Sequence, residues 1–444
     1  MSRLTVSQGT ALSAGAVLGT GVISMPALAA AVAGPASLVA WVALILLSAP
    51  LAWTFAALGA RHPDGGGVST YVRLAFGPRA SAAVGWIFYF AVPLGAPAAA
   101  AFAGGYVADV LGGGRTTVLG TFFVVMAVVF TMNWFGLRIS GRVQLILAGV
   151  LAALLLITVV TALPHAQLGN LRPFAPHGFA GVGAAAALLV WGFAGWEAIA
   201  SLSADYRNPR RDVPRATMIA VVVVGLLYLS IALTSVLVLG PALASSTAPL
   251  ADLLAVGLGG PVRVLTAVIA VLLTIGAVNA YMAGASRLGV ALARDLSLPA
   301  GLSGTPRRSL AVVTLGGCAS VLLPVDLHTM MLLVTGCFTL VYVLGTAAAV
   351  KLLTGRSRLV AGFAFVAVLG LLWLNGAPAL LSLVLAAAAI AYHAGRDRSA
   401  GRDRRAAAAQ AERSASAKIA SPSPIVAEWV APNPNTNPAC ATDR

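Results

Sequence analysis

Residues 191 to 197, WGFAGWE, set a carboxylic acid, two glycines and two tryptophans inside one of the most apolar runs of the chain. Of thirteen acidic residues, Glu197 alone lies deep in such a run. An ionised carboxyl in hydrocarbon costs on the order of a few kcal/mol, so it is retained for a partner or for a proton. Two roles fit: Glu197 takes up and releases a proton beside a binding site, or it locks neighbouring helices by bonding Ser, Thr or backbone. The glycines carry a second kind of chemistry. Gly192 and Gly195 flank Phe193 and Ala194 just before Glu197, and near the N-terminus Gly19, Thr20 and Gly21 follow Gly15 and lead to Pro26. Small residues in membrane helices serve close packing, but clusters with proline argue against a continuous helix. A broken helix offers free amides to a carboxylate at one half and free carbonyls to an ammonium or cation at the other. A zwitterionic amino acid matches both.

Those residues need elements that can hold them at the centre of a membrane. The 444 residues are 59% hydrophobic and 9% charged, with a mean hydropathy of +0.93, whereas a soluble domain is about one-quarter charged. An all-α integral membrane protein is expected. Apolar runs long enough to span a bilayer, about 20 residues each, number about twelve: 9–33, 37–59, 80–111, 116–136, 143–163, 179–202, 216–240, 262–286, 310–325, 329–350, 359–375 and 377–393. The first is too long for a signal peptide. Were residues 179–202 one unbroken helix, Trp191 and Glu197 would point about 120° apart, at about 100° per residue. They would then serve different surfaces.

The net charge of +15 would suggest nucleic acid in a soluble protein. Here its placement points to the lipid bilayer instead. Sorted by alternate loops, Arg115, Arg172 and Arg263 fall on one side and the other 25 Lys and Arg on the side of the N-terminus. The positive-inside rule places both termini in the cytoplasm, in a multi-pass protein of the cytoplasmic membrane with no nucleic-acid partner expected. From about residue 394 the composition turns to Arg, Ala, Ser and Pro, as expected of a disordered cytoplasmic tail over 394–444. Cys318, Cys337 and Cys440 imply no disulfide framework. The scattered histidines show no metal-ligand spacing and no nucleophile motif is present, so neither a cofactor nor an enzyme activity is expected.

The two glycine-broken runs are the first and the sixth. They stand five places apart in the order of spans, so they would be corresponding members of two five-helix repeats, and an odd number per repeat makes the repeats inverted. Breaks at matching places in inverted halves point to a transporter site near the midplane.

The motifs at these places resemble the amino acid, polyamine and organocation transporter superfamily. They are GTGVISMP (19–26), the loop RHPDGGGVSTYVRLAFGPR (61–79) and WGFAGWEAIASLSADYRNPRRDVPRA (191–216). With PLGAPAAA (93–100) they are most similar to the branch that exports L-methionine and branched-chain amino acids. The resemblance implies two inverted five-helix repeats (about 9–163 and 179–350) plus two extra helices (359–393), working by alternating access. It implies that Gly19, Thr20 and Gly21 bind the substrate's carboxylate and amine, that Trp191 covers the substrate beside Gly192 and Gly195, and that Glu197 stands behind that gate. Tyr281 falls where relatives carry an aromatic on the far wall. Phe193 and Asn279 are further candidates. Arg287 is either part of a cytoplasmic gate or an arginine reaching for headgroups.

With one acid and no intramembrane lysine, a small neutral amino acid (L-methionine, leucine, isoleucine or valine) is the expected substrate, since a dibasic one needs more negative charge around it. Glu197 favours coupling to the proton gradient, while carbonyls and hydroxyls alone would serve sodium. Import or exchange uses the same fold. A channel would carry polar or charged rings along its pore, and a sensor a folded signalling domain; the sequence offers neither. Oligomeric state is left open.

Overall fold

The computed structural model describes residues 4–18, 20–63, 67–136, 141–197, 203, 206–259, 262–295, 297–322, 324–396 and 409–410. The chain divides into two compact units, Met1–His393 and Ala394–Arg444. The first is built of helices: α1 Val6–Val17, α2 Met25–Ala33, α3 Ser37–Arg61, α4 Val68–Phe76, α5 Pro78–Leu111, α6 Arg115–Trp134, α7 Gly141–Ala162, α8 Ala180–Phe193, α9 Pro209–Leu239, α10 Pro249–Leu258, α11 Val262–Arg294, α12 Pro306–Ser320, α13 Leu327–Leu352 and α14 Arg356–Asn375. A last helix, α15, covers Ala379–Arg396. Of the second unit, only 394–396 and 409–410 are described.

Among the described residues, nine helices are long and apolar enough to cross a membrane. Three of the runs read from the sequence are absent from that group, each for a visible reason. Residues 9–33 form two short helices, α1 and α2, and α2 runs on through Gly34–Ala36 into α3. Residues 179–202 are helical only as far as Phe193. Of residues 310–325, only 310–320 are helical, in a 15-residue helix that begins with Pro306, Arg307 and Arg308.

Local chemistry sets the helix ends. Thr5 and Gln8 close α1 with a reciprocal capping box. Pro209 opens α9, where its missing N–H is no loss, and Asp212 reaches back to accept from the Asn208 N–H at 3.2 Å. In α5, Pro97 cannot donate to the carbonyl four residues earlier, which is that of Pro93. Ser320 Oγ of α12 lies 3.1 Å from that acceptor and 2.8 Å from the Gly317 carbonyl of its own helix, its one proton shared between them. Ser320→Ala therefore strands a carbonyl and is expected to cost about 1–3 kcal/mol, read as a lower melting midpoint of the purified protein in detergent.

The core gathers between α2, α3, α5, α8, α9 and α13. Trp41, Phe193 and Tyr228 meet there with centroids 5.2 to 6.1 Å apart, Tyr228 edge to face with each of the other two, and both broken segments rest against this cluster.

Candidate functional site

Two interruptions meet at the centre of the first unit. Helix α1 stops at Val17, and a single 3-10 turn, Thr20–Ile23, leads into α2 with Pro26 in its first turn. Helix α8 stops at Phe193; Ala194 turns extended, at φ −66° and ψ 138°, and Gly195 has φ +128°. That angle is open to glycine and strained for any residue with a Cβ. Close approach requires glycine at the same position, since an added Cβ would lie 2.6 Å from the Ala16 carbonyl oxygen and 3.1 Å from the Val17 nitrogen. Gly21 makes the reciprocal approach, where a Cβ would lie 2.8 Å from Trp191 Cδ1.

A buried tyrosine joins the two ends. The Tyr228 hydroxyl lies 2.8 Å from the Val17 carbonyl at the end of α1 and 2.8 Å from the Gly192 carbonyl at the end of α8. Both are last-turn carbonyls that lack a partner within their own helix. Its single proton is shared between two acceptors.

Glu197 sits just past the second break. Its Oε2 accepts from the Gly195 N–H at 2.9 Å and from the Tyr342 hydroxyl at 2.5 Å, and the Gly195 N–H also lies 3.3 Å from that hydroxyl. A carboxylate offers about four acceptor positions. Two donors hold it while leaving capacity for a proton or a cation.

A cavity of about 260 Å³ opens between the breaks. Gly15, Ala16, Val17 and Gly21 form one side, Trp191, Gly192, Ala194, Gly195 and Glu197 a second. Helix α5 supplies a floor of small residues, Ala91, Val92, Gly95, Ala96 and Ala99, while α11 and α13 add Ala277, Val278, Ala280, Tyr281, Val334 and Phe338. Gly95 faces Trp191 and Val334, and a Cβ there would sit 3.6 Å from each, an ordinary contact distance. Phe102 meets Trp191 edge-on with centroids 6.0 Å apart, and Tyr281 leans on Phe338 at 6.4 Å. Among the described lining residues, Glu197 is the one acid, and none is Lys or Arg. No group of His, Cys, Asp or Glu among the described residues could hold a metal ion. The cavity lies just below the usual range for small-molecule pockets, about 300–1,000 Å³. It suits a compact apolar ligand with a charge to present to one carboxyl.

Of the residues singled out from the sequence, Gly21, Trp191, Gly192, Gly195, Glu197 and Tyr281 line this one cavity. Gly19 lies outside the described residues, and of Thr20 only the backbone is described. Three others are elsewhere. Phe193 is buried between Trp41 and Tyr228. Asn279 accepts from the Asn133 amide at 2.7 Å and ties α11 to α6. Arg287 is exposed on α11. Trp196, beside Glu197, is fully buried in the protein core. Sequence reasoning missed Tyr228 and Tyr342, whose runs carry no acid and no close pair of glycines to draw attention. It also assigned no role to the small residues of 91–99, although PLGAPAAA had been noticed.

A family model for amino acid permeases matches residues 4–401. An uncharacterized amino acid permease of Bacillus subtilis (strain 168), YecA, is 33% identical over 402 residues, covering 88% of this chain and 95% of that protein. The L-methionine/branched-chain amino acid exporter YjeH of Escherichia coli (strain K12) is 33% identical over 379 residues, 81% and 88% of the two chains. The branched-chain amino acid permease BcaP of Bacillus subtilis (strain 168) is 27% identical over 240 residues, 50% and 52%.

Proposed function

The chain belongs to the amino acid permease family and is a multi-pass membrane transporter rather than an enzyme; from this premise we propose that it exports small neutral amino acids, L-methionine, leucine, isoleucine and valine, coupled to the proton gradient. The carrying observation is the cavity between the two breaks, apolar on most sides and facing a single acid. A dibasic substrate would bury an ammonium with no second carboxylate to meet it. The four candidates differ by a methylene or two, and a hydrophobic pocket separates such differences by only about 1–3 kcal/mol. Overlapping specificity follows. Similarity to YjeH, named an exporter of these amino acids, supports the direction.

In this reading Gly19, Thr20 and Gly21 present backbone to the carboxylate and amine, Trp191 covers the substrate, Tyr281 closes the far wall and Glu197 exchanges the proton. Helix interruptions five spans apart, at α1 to α2 and after α8, support twelve spans arranged as two inverted repeats plus two more. The charge bias supports both termini in the cytoplasm, with the cytoplasmic membrane as location.

Efflux of preloaded labelled L-methionine and L-leucine, with and without a proton uncoupler, tests the proposal. Faster efflux from cells carrying the protein, collapsing with the uncoupler, is the expected result. Faster accumulation would reverse the direction, uncoupler-resistant efflux would remove the proton, and no movement of either amino acid would overturn the substrate assignment.

A further inference from the structure

One face of α5 continues beyond the cavity toward the end opposite the N-terminus, the outer side in the orientation proposed above. The cavity wall on this helix ends at Ala99. Phe102, Tyr106 and Asp109 follow at spacings of three, four and three, so all lie on the same face, and the last is about 15 Å from Ala99 along the axis. Each ties a different element across the path from cavity to surface. Phe102, almost fully buried, caps Trp191 of α8. The Tyr106 hydroxyl donates to the Ile23 carbonyl at 2.5 Å, in the turn that follows the first break, and accepts from the Leu250 N–H of α10 at 3.2 Å. Asp109 receives Arg263 Nη1 on both carboxylate oxygens, each at 2.7 Å. Through Nη2, Arg263 also reaches Asp252 of α10 at 2.9 Å, and Asp252 accepts from Ser246 Oγ at 2.6 Å.

We infer that Asp109, Arg263 and Asp252 form the outer latch of the transport cycle, holding α10 to α5 and α11 beyond the cavity, which opens outward only when this ion network parts. The inference rests on the cavity being the transport site. Charge-assisted bonds from one guanidinium to two carboxylates give the latch a defined geometry. Side-chain exposures of 36% for Arg263, 21% for Asp109 and 28% for Asp252 keep it releasable, because water screens partly exposed pairs. Asp252 and Arg263 also border a second cavity, of about 460 Å³, into which the guanidinium can swing. Arg263 stands in the first turn of α11, the helix that carries Tyr281, so releasing it frees an element that reaches the site.

The test uses the full chain with its three native cysteines replaced by alanine and a single Ala99→Cys probe, labelled in whole cells by a membrane-impermeant cationic thiosulfonate. Arg263→Met, Asp109→Asn and Asp252→Asn are each expected to raise the outside labelling rate about tenfold by shifting the population toward outward-open states, and to lower labelling in inside-out vesicles. Arg263→Met removes a positive charge and Asp109→Asn a negative one. A rise in both therefore excludes a mere change in the field felt by the reagent. Should Arg263→Met fail to reach the membrane, the two Asp variants, which keep the guanidinium, carry the test. Rates equal to the parent's overturn the latch, whether or not L-methionine slows the labelling. Rates that rise while L-methionine gives no protection support the latch and count against the substrate assignment alone.

Discussion

Gly195→Ala is expected to cut transport severely while the protein still reaches the membrane. At φ +128° a non-glycine residue carries about 1–3 kcal/mol of backbone strain. The added methyl would also press to 2.6 Å from the Ala16 carbonyl oxygen, a backbone atom that cannot move without shifting α1. Relief requires the two broken segments to separate, which deforms the cavity that both of them line. Initial L-methionine efflux should fall by about tenfold or more. Gly284→Ala on α11, where an added methyl meets nothing within 4 Å, is the matched control. Gly195→Ala with efflux equal to that of the control would mean that the close contact of the two breaks has no part in transport.

The second large effect concerns coupling. Glu197→Gln keeps the shape of the side chain and an oxygen for the Gly195 N–H and the Tyr342 hydroxyl, but it cannot give up a proton. Net efflux driven by the proton gradient should drop to the level seen with an uncoupler, while exchange of labelled for unlabelled L-methionine persists and its dependence on pH flattens. A wild-type pH profile in Glu197→Gln would leave Glu197 as a hydrogen-bonded lock and nothing more. Tyr342→Phe separates the two roles. It removes a donor whose bond to a charged partner is worth about 1.5–3 kcal/mol, so transport should slow and keep a pH dependence that is displaced rather than flattened.

The breaks were legible in the sequence because their causes are local. Close-set glycines, followed by proline in the first case and by a buried acid in the second, announce an interrupted helix, and α1 and α8 end where those clusters stand. The shared cavity followed from the break in α8: with the chain extended at Ala194 and turned at Gly195, Trp191 and Glu197 line one space rather than opposite faces of a helix. The direction of Phe193 was not legible, because it depends on how the last turn of α8 meets Trp41 and Tyr228. Nor were the partners of Glu197 and of the broken ends. Tyr342 stands 145 residues from Glu197 and Tyr228 211 residues from Val17. No periodicity records such pairings, and a tyrosine in an apolar run reads like any other packing aromatic. The outer network was hidden similarly. Asp109 and Arg263 appear in the sequence as ordinary charges at the ends of spans and Asp252 as one in a loop, and only the fold brings them within bonding distance.

The floor of small residues on α5 bears on how selectivity can change over evolutionary time. At Gly95 an added Cβ would lie 3.6 Å from both Trp191 and Val334, so alanine fits there without displacing a neighbour. Alanines at 91, 96 and 99 line the same surface. Such a wall can be raised one methyl at a time, each step trimming the longest side chain that fits while leaving the broken helices and the acid untouched. Substrate range in this lineage would then drift through single codon changes on one helix, independently of the machinery that drives transport.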